Sequence, residues 1–199
     1  MKEITYAYLC EDIAIEIFLK NFLVQYSREL TVLPHLSFVE VIDFPIAASN
    51  NKQVEKRIRE AAIMAFKEYN TDVFFAGLDN ESSDVKKSDA RIKLMRESLS
   101  EKDRTKTVIL IPIQCIEHWL LYLKDKRENP SKTKREVFES KERSEVKTKV
   151  YGNKNLSKEK RIPVINELTL TMEINWLISR SNSFKHFVGQ FSTFVKSVA

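Results

Sequence analysis

Short, continuously apolar segments alternate along the chain with longer segments whose apolar residues recur at helical spacing. The apolar segments cover residues 4–10, 36–43, 72–79 and 107–113. Their β-branched and aromatic residues predict strands. Because apolar residues run on without alternating, both faces of each strand should be covered. The pattern predicts an α/β fold with a mostly parallel central sheet of about four strands, flanked by helices.

Helices are predicted after each of these strands. Asp12 can cap the first helix, which should run to about Leu30. The second covers 51–69, where apolar residues recur every three or four positions. A weaker pattern predicts a helix near 90–99, and CIEHWLLYLKD predicts another after the fourth strand. These helices should cover the two faces of the sheet.

Two more helices are predicted near the end of the sequence. One covers 168–178, although the alternation in NELTLTME leaves a strand as an alternative there. The other begins near Ser183 as a cap and is amphipathic. Its apolar stripe should pack against the sheet and consists of Phe184, Phe187, Val188, Phe191, Phe194 and Val195.

Positive charge is concentrated in one segment. The 199-residue chain has a net charge of +5, yet residues 124–161 hold fourteen Lys or Arg against seven Asp or Glu. Few apolar residues interrupt this segment. We therefore predict a basic insertion or arm at 124–161, between an α/β core at 1–123 and C-terminal helices at 162–199 that pack on the core.

The densest basic residues of that segment are candidates for binding nucleic acid. Lys and Arg contacts to phosphate give sequence-independent, salt-sensitive binding. The alternative is a solvated segment of mixed charge, since acidic residues occur throughout it. The predicted nucleic-acid-binding residues are Lys154, Lys158, Lys160 and Arg161.

Several function classes lack the residues they need. The three glycines, Gly77, Gly152 and Gly189, are too far apart for a P-loop or a Rossmann fingerprint. Neither HExxH nor GxSxG occurs, and Cys10 and Cys115 do not have zinc-finger spacing. No apolar run of about eighteen residues is present, so we expect no membrane segment. Acidic residues near the N-terminus argue against a signal peptide, and we expect a cytoplasmic protein.

Acidic side chains follow three of the predicted strands. Glu11 comes after the first strand, Asp79 and Glu81 after the third, and Glu117 begins the helix after the fourth. The carboxyl ends of parallel strands meet at one edge of a sheet, where ligands bind. A divalent cation would relieve the repulsion between these carboxylates. The helix dipole also favours an acid at a helix start, so Glu117 is open to both interpretations.

Four segments, in order, resemble those of Toprim domains. YAYLCEDIAIEIFLKNFL resembles the first Toprim motif, a strand ending in glutamate before a helix, and VFFAGLDNE resembles the second, a strand ending in Asp-x-Asp. VILIPIQCIEHWLLYL and SFKHFVGQF resemble the later part of small bacterial Toprim-like families. These families include the RloB-like proteins and relatives of the OLD-nuclease Toprim domain.

The resemblance implies roles for the acidic residues. Glu11 would act as general acid/base or metal-binding group, and Asp79 and Glu81 would bind Mg²⁺ or Mn²⁺, with Glu117 as a further ligand. Glu11 and Asp79 are thus the predicted catalytic residues. The implied activity is metal-dependent hydrolysis of DNA or RNA, as an effector in phage defence or a mobile element, with a partner ATPase in some systems.

Three departures from the Toprim pattern keep other functions open. Asp12 replaces the usual glycine, the helix acid Glu16 is five rather than four residues after Glu11, and Glu81 replaces the second aspartate. The main alternative is a non-catalytic Toprim-like subunit that binds nucleic acid or a partner ATPase. A primase-like nucleotidyl transferase is a third hypothesis.

Overall fold

Four parallel strands form the central sheet of the chain. The computed structural model describes residues 2–29, 36–131, 136–153 and 155–198. The strands are β1 (Lys2–Cys10), β2 (Leu36–Glu40), β3 (Val73–Gly77) and β4 (Thr107–Leu110), in the order β2-β1-β3-β4. Every neighbouring pair is parallel. The predicted α/β fold with a parallel sheet of about four strands is confirmed.

Helices flank this sheet on both faces. In the described residues they are α1 (Ile13–Glu29), α2 (Asn51–Lys67), α3 (Val85–Glu97), α4 (Glu101–Lys106), α5 (Glu117–Glu128), α6 (Arg143–Tyr151), α7 (Lys158–Thr169), α8 (Ile174–Arg180) and α9 (Asn182–Val198). None of them is both long and apolar enough to cross a membrane.

Alternate residues of the central strands enter two separate cores. On one face Phe75 packs with the aromatic residues of α1, α5 and α9. On the other face Phe74 and Ala76 pack with Val54 and Ile58 of α2. Both faces of β3 are fully buried. This burial explains the continuous apolar pattern of the strands.

The C-terminal helix α9 packs against the sheet, as its aromatic stripe predicts. The rings of Phe191 and Phe75 lie 5.6 Å apart, centroid to centroid. The Gln190 side chain accepts a hydrogen bond from the N–H of Ile109 (3.2 Å) and donates one to its carbonyl (3.0 Å). These two bonds satisfy backbone groups on the outer edge of β4.

Two capping residues were predicted for the helices, and one of them is correct. Asp12 caps α1, accepting hydrogen bonds from the N–H groups of Ala14 and Ile15. Helix α3 begins at Val85 rather than near residue 90, because Asp84 accepts the N–H of Lys86 (2.9 Å). Helix α9 is capped by Ser181, not Ser183, through the N–H of Phe184.

The single helix predicted for 168–178 is wrong. Helix α7 ends at Thr169, and α8 begins at Ile174. Glu29, at the end of α1, accepts a hydrogen bond from the N–H of Ile174 (3.1 Å). A carboxylate from a distant helix thus satisfies a donor at the start of α8, a contact without a local sequence signal.

The described part of the basic segment 124–161 lies against the core instead of extending from it. Val146 and Val150 of α6 are buried in the main core, together with Phe138 from the preceding loop. Helix α6 packs on α5, and α7 packs on α1. Two valines four residues apart give α6 an apolar face sufficient to anchor it.

Candidate metal centre

Two loops at the carboxyl edge of the sheet run side by side. The N–H of Leu78 donates to the carbonyl of Leu110 (3.1 Å), and the N–H of Asn80 donates to that of Pro112 (3.2 Å). The N–H of Glu11 donates to the carbonyl of Gly77 (2.9 Å). Because pairing continues beyond the strands, the residues that follow β1, β3 and β4 meet at one place.

Asp79, Cys115 and Glu117 form a compact buried cluster there. One ligand atom from each side chain lies within 4.8 Å of the other two. Asp79 and Glu117 are each only 1 % exposed. The Asp79 carboxylate accepts a hydrogen bond from the N–H of Ile116 (2.9 Å), at the start of α5. The structure therefore brings together Asp79 and Glu117, two of the predicted metal ligands.

Glu11 adjoins this cluster through the backbone. Its Oε2 accepts a hydrogen bond from the N–H of Asp79 (3.1 Å). The Glu11 side chain is half-buried and also lines a large cavity beside β1 and β2. Glu11 thus lies between the buried carboxylates and open space.

Glu81 lies outside the compact cluster. Its φ angle is +58°, a left-handed conformation that is uncommon for a residue with a side chain. The side chain is 57 % exposed, and its Oε1 lies 3.6 Å from Nη1 of Arg143. The predicted Asp79–Glu81 pair is therefore divided, with one carboxylate inside and the other at the surface.

Helix α6 places two cations and a hydroxyl on the acidic cluster. Nη2 of Arg143 lies 2.7 Å from Oδ2 of Asp79, and Nζ of Lys147 lies 3.4 Å from Oε1 of Glu117. The Tyr151 hydroxyl donates to the same oxygen of Glu117 (3.3 Å). None of these three residues was predicted from the sequence as part of the site. Their four-residue spacing places them on one helix face and was the available signal.

Burial and repulsion from neighbouring acids make the carboxyl groups of Asp79 and Glu11 hard to ionise. Burial raises the pKa of Asp79 well above its usual range, and the nearby charges of Glu117 and Glu11 add to this. Burial also raises the pKa of Glu11 to about 7, although the N–H of Asp79 opposes the shift. The Arg143 guanidinium lowers the pKa of both groups but does not balance the burial and the other acids. The cluster therefore lacks positive charge.

The pKa of Arg143 is also affected by the neighbouring acidic groups. Burial lowers its pKa, but Asp79 and neighbouring groups outweigh this and hold it above the ordinary value. The pKa values of Arg143 and Asp79 thus both move upward. Two charges paired in water would move these pKa values in opposite directions, but at Asp79 burial, together with repulsion from Glu117 and Glu11, outweighs the guanidinium.

One oxygen of the cluster has no partner among the described residues. Oε2 of Glu117 is buried and receives no hydrogen bond. A buried carboxylate oxygen without a donor is costly, and a cation is one way to satisfy it. The donor atoms of Asp79 and Glu117 therefore suit a divalent cation, and Glu11 lies next to them.

Two further side chains, which were not predicted as part of the site, hold the loop that carries Asp79 in place. Asn51 donates to the carbonyl of Asp79 (3.0 Å). Arg91 donates to the same carbonyl (2.9 Å) and to that of Asn80 (3.1 Å), while its Nε contacts Glu55 at 2.6 Å. Both partners come from helices on the same face of the sheet, so packing determines where the loop lies.

Two of the predicted nucleic-acid-binding residues reach the cavity that Glu11 lines. This cavity measures about 560 Å³, and Lys158 and Arg161 of α7 form part of its wall. The Arg161 guanidinium lies 5.4 Å from the ring centroid of Tyr151. Lys160 is exposed and does not line the cavity. Lys154 lies outside the described residues.

No family model matches the sequence, and the comparisons with curated proteins and with solved structures give no match.

Proposed function

We propose that the chain is a metal-dependent nuclease of Toprim type, which hydrolyses phosphodiester bonds in DNA or RNA. The observation that carries this proposal is the buried pair Asp79 and Glu117 at the carboxyl edge of a parallel sheet, where Oε2 of Glu117 has no donor among the residues that the structure describes. The order of Toprim-like segments along the sequence supports the same function.

Asp79 and Glu117 would hold the metal, with Glu11 on one side and Glu81 at the outer rim. Carboxylate oxygens suit Mg²⁺ and Mn²⁺. When bound, such an ion polarises a phosphoryl oxygen and activates a water molecule. The chain positions the carboxylates through the N–H groups of Ile116 and Asp79.

Glu11 fits the role of the group that moves a proton. A pKa of about 7 lets its carboxylate accept and release a proton near neutral pH. Its Oε2 is oriented by the N–H of Asp79, so Oε1 is the oxygen that would accept the proton of an attacking water. Its position on the cavity wall gives it access to a substrate.

The basic residues would bind and position the nucleic acid backbone. Lys158 and Arg161 lie on the wall of the cavity that Glu11 shares, where they can contact phosphates next to the scissile bond. Arg143 lies between Asp79 and Glu81 and can stabilise negative charge that develops on the phosphate.

The resemblance to small bacterial Toprim-like families also suggests a setting. We propose a cytoplasmic effector in phage defence or a mobile-element system, which acts beside a partner ATPase. Co-purification of an ATPase with the tagged chain from its native cell would test this part of the proposal, and recovery of the chain alone would contradict it.

One observation favours the non-catalytic alternative. Arg143 contacts Asp79 and Lys147 contacts Glu117, so an ion-pair network can hold these carboxylates together. Lys158 and Arg161 would then bind nucleic acid, or an acidic surface of an ATPase, without cleavage. This alternative predicts salt-sensitive binding that does not depend on Glu11.

A cleavage assay separates the two functions. Supercoiled plasmid, linear duplex and tRNA would be incubated with the chain in Mg²⁺, Mn²⁺ or EDTA. Glu11→Gln and Glu117→Gln would be compared with Asp89→Asn, which changes an exposed acid on α3. The proposal expects metal-dependent cleavage by the wild type and Asp89→Asn, and none by the other two variants. Binding without cleavage of any substrate would favour the alternative, and cleavage that survives Glu117→Gln would refute the proposed site.

A further inference from the structure

The carboxylate pair has a sulfur beside it. Cys115 is fully buried, and its Sγ belongs to the same compact group as the carboxylate oxygens of Asp79 and Glu117. Mg²⁺ and Mn²⁺ gain little from a thiol, because both prefer oxygen ligands. A magnesium site would gain nothing from a thiol at this position, whereas a softer cation would.

We propose that this centre also binds a thiophilic divalent cation of the Zn²⁺ class, through the Cys115 thiolate and the carboxylates of Asp79 and Glu117. The ion would use the same two carboxylates as Mg²⁺ and would exclude it. Zn²⁺ accepts sulfur and oxygen ligands together, and three protein ligands leave one position for water.

The geometry is close to that of such a site. Ligand atoms around a tetrahedral Zn²⁺ lie about 3.5 Å apart, given the usual metal–ligand bond lengths. The three ligand atoms here lie within 4.8 Å of one another. The unpartnered Oε2 of Glu117 supplies an oxygen that no donor occupies among the described residues.

His118 is placed to support the thiolate. It is fully buried, as a packed histidine would be. Its Nε2 lies 3.0 Å from the carbonyl of Lys141, and its Nδ1 lies 3.2 Å from Sγ of Cys115. Nδ1 also lies 3.2 Å from the carbonyl of Cys115, so each ring nitrogen has a carbonyl to which it can donate. In the tautomer that donates from Nε2, Nδ1 is the acceptor for the thiol.

Metal binding to the thiol releases one proton. The S–H bond of Cys115 breaks, its electron pair forms the bond to the metal, and the proton passes to Nδ1 of His118 or to solvent. No change of oxidation state is involved. Binding by Cys115 does not depend on nuclease activity, whereas inhibition of cleavage by Zn²⁺ rests on the proposed function.

Co²⁺ and Cd²⁺ give a spectroscopic signal when a cysteine thiolate binds them. Titration of the reduced protein with Co²⁺ or Cd²⁺ should produce the ultraviolet thiolate-to-metal charge-transfer band, and Zn²⁺ should displace the Co²⁺. The matched variants are Cys115→Ser and Cys10→Ser, since Cys10 is the other free cysteine and lies outside the cluster. The wild type and Cys10→Ser should show the band, and Cys115→Ser should lack it.

The affinity for Zn²⁺ gives the second readout. We expect it to fall by at least about 100-fold in Cys115→Ser, since even outer-shell changes cost about 10–100-fold. Mn²⁺ binding, followed by electron paramagnetic resonance, should be retained in that variant. Retained Mn²⁺ binding would show that the carboxylates of Asp79 and Glu117 are still in place in that variant.

Three results would overturn the inference. They are the absence of the band in the wild type, its survival in Cys115→Ser, and an equal loss of Mn²⁺ and Zn²⁺ binding in a Cys115→Ser protein whose circular dichroism is unchanged. If Cys115→Ser does not fold, Cys115→Ala is measured in its place. Failure of the nuclease proposal would give a different result. The wild type would then show the thiolate-to-metal charge-transfer band but would not cleave nucleic acid.

Discussion

Replacement of Arg143 by methionine should destabilise the chain far more than a surface lysine substitution on the same helix. Arg143 contacts Asp79 at 2.7 Å, and Asp79 is only 1 % exposed. Methionine keeps much of the packing volume but removes the guanidinium. The buried carboxylate then has two acidic neighbours, Glu117 and Glu11, and no cation from this position.

The structure bounds the size of the effect. Loss of one partner from a fully buried ion pair costs about 3–5 kcal/mol. Here the side chain of Arg143 is 35 % exposed, and Asp79 keeps the hydrogen bond from Ile116 and can also take up a proton. We therefore expect a loss of about 2 kcal/mol at pH 8, which is about 4–8 °C in melting temperature for a chain of this size.

The loss should depend on pH in a defined direction. The folded-state pKa of Asp79 is already raised and rises further without the guanidinium. The folded chain then holds a proton that the unfolded chain releases, so the stability of the variant falls as pH rises through the folded pKa. The difference from the wild type should be larger at pH 8 than at pH 5.

Thermal and urea unfolding of Arg143→Met and Lys149→Met at both pH values provides the test. Lys149 is an exposed residue of α6 whose partner is Glu145, and loss of a solvent-screened pair of this kind should change the stability little. Added Mn²⁺ should restore more stability to Arg143→Met than to the wild type, because the ion replaces the missing charge. Equal losses in the two variants at pH 8 would refute the electrostatic account of the cluster.

Three further predictions concern the strand ends, metal binding and the basic wall. Gly77→Ala should lower the free energy of unfolding in urea by about 1–3 kcal/mol, because the new Cβ would lie 2.5 Å from a γ carbon of Ile15. Gly189→Ala should raise it by up to about 1 kcal/mol, because the new Cβ on helix α9 would lie in open space. A larger loss of stability in Gly189→Ala than in Gly77→Ala would contradict the packing around Gly77. Mn²⁺ should raise the melting temperature more at pH 8 than at pH 6, because carboxylates with raised pKa values must lose protons to bind it, and a larger shift at pH 6 would contradict this. Lys158→Met should reduce the salt dependence of nucleic acid binding by about one unit of log–log slope, and Lys196→Met on α9 should leave it unchanged.

The acidic part of the centre could be predicted because it follows from topology. Apolar runs located the strands, and parallel strands bring their carboxyl ends to one edge. That rule alone predicts that Asp79 and Glu117 lie together with Glu11 beside them. It could not show that Glu81 points outward, since this depends on a positive φ angle at one residue.

The cationic part of the centre depends on distant packing and was therefore missed. Arg143 reaches Asp79 across 64 residues of sequence, because Val146 and Val150 anchor α6 on the core. The density of positive charge instead predicted a nucleic-acid-binding site at 154–161. The break between α7 and α8 has the same origin, since it involves Glu29, 145 residues before Ile174. Propensity and spacing describe local structure and carry no information about such contacts.

Direct measurement of Mn²⁺ binding tests the central claim, that Asp79 and Glu117 hold a divalent cation. Electron paramagnetic resonance titration would compare the wild type with Asp79→Asn, Glu117→Gln and the exposed-acid control Asp89→Asn. The account predicts saturable Mn²⁺ binding by the wild type and Asp89→Asn. It predicts loss of that binding in the other two variants, which should remain folded because each removes a buried negative charge. Binding that is undiminished in Asp79→Asn and Glu117→Gln, or absent from the wild type, would contradict it.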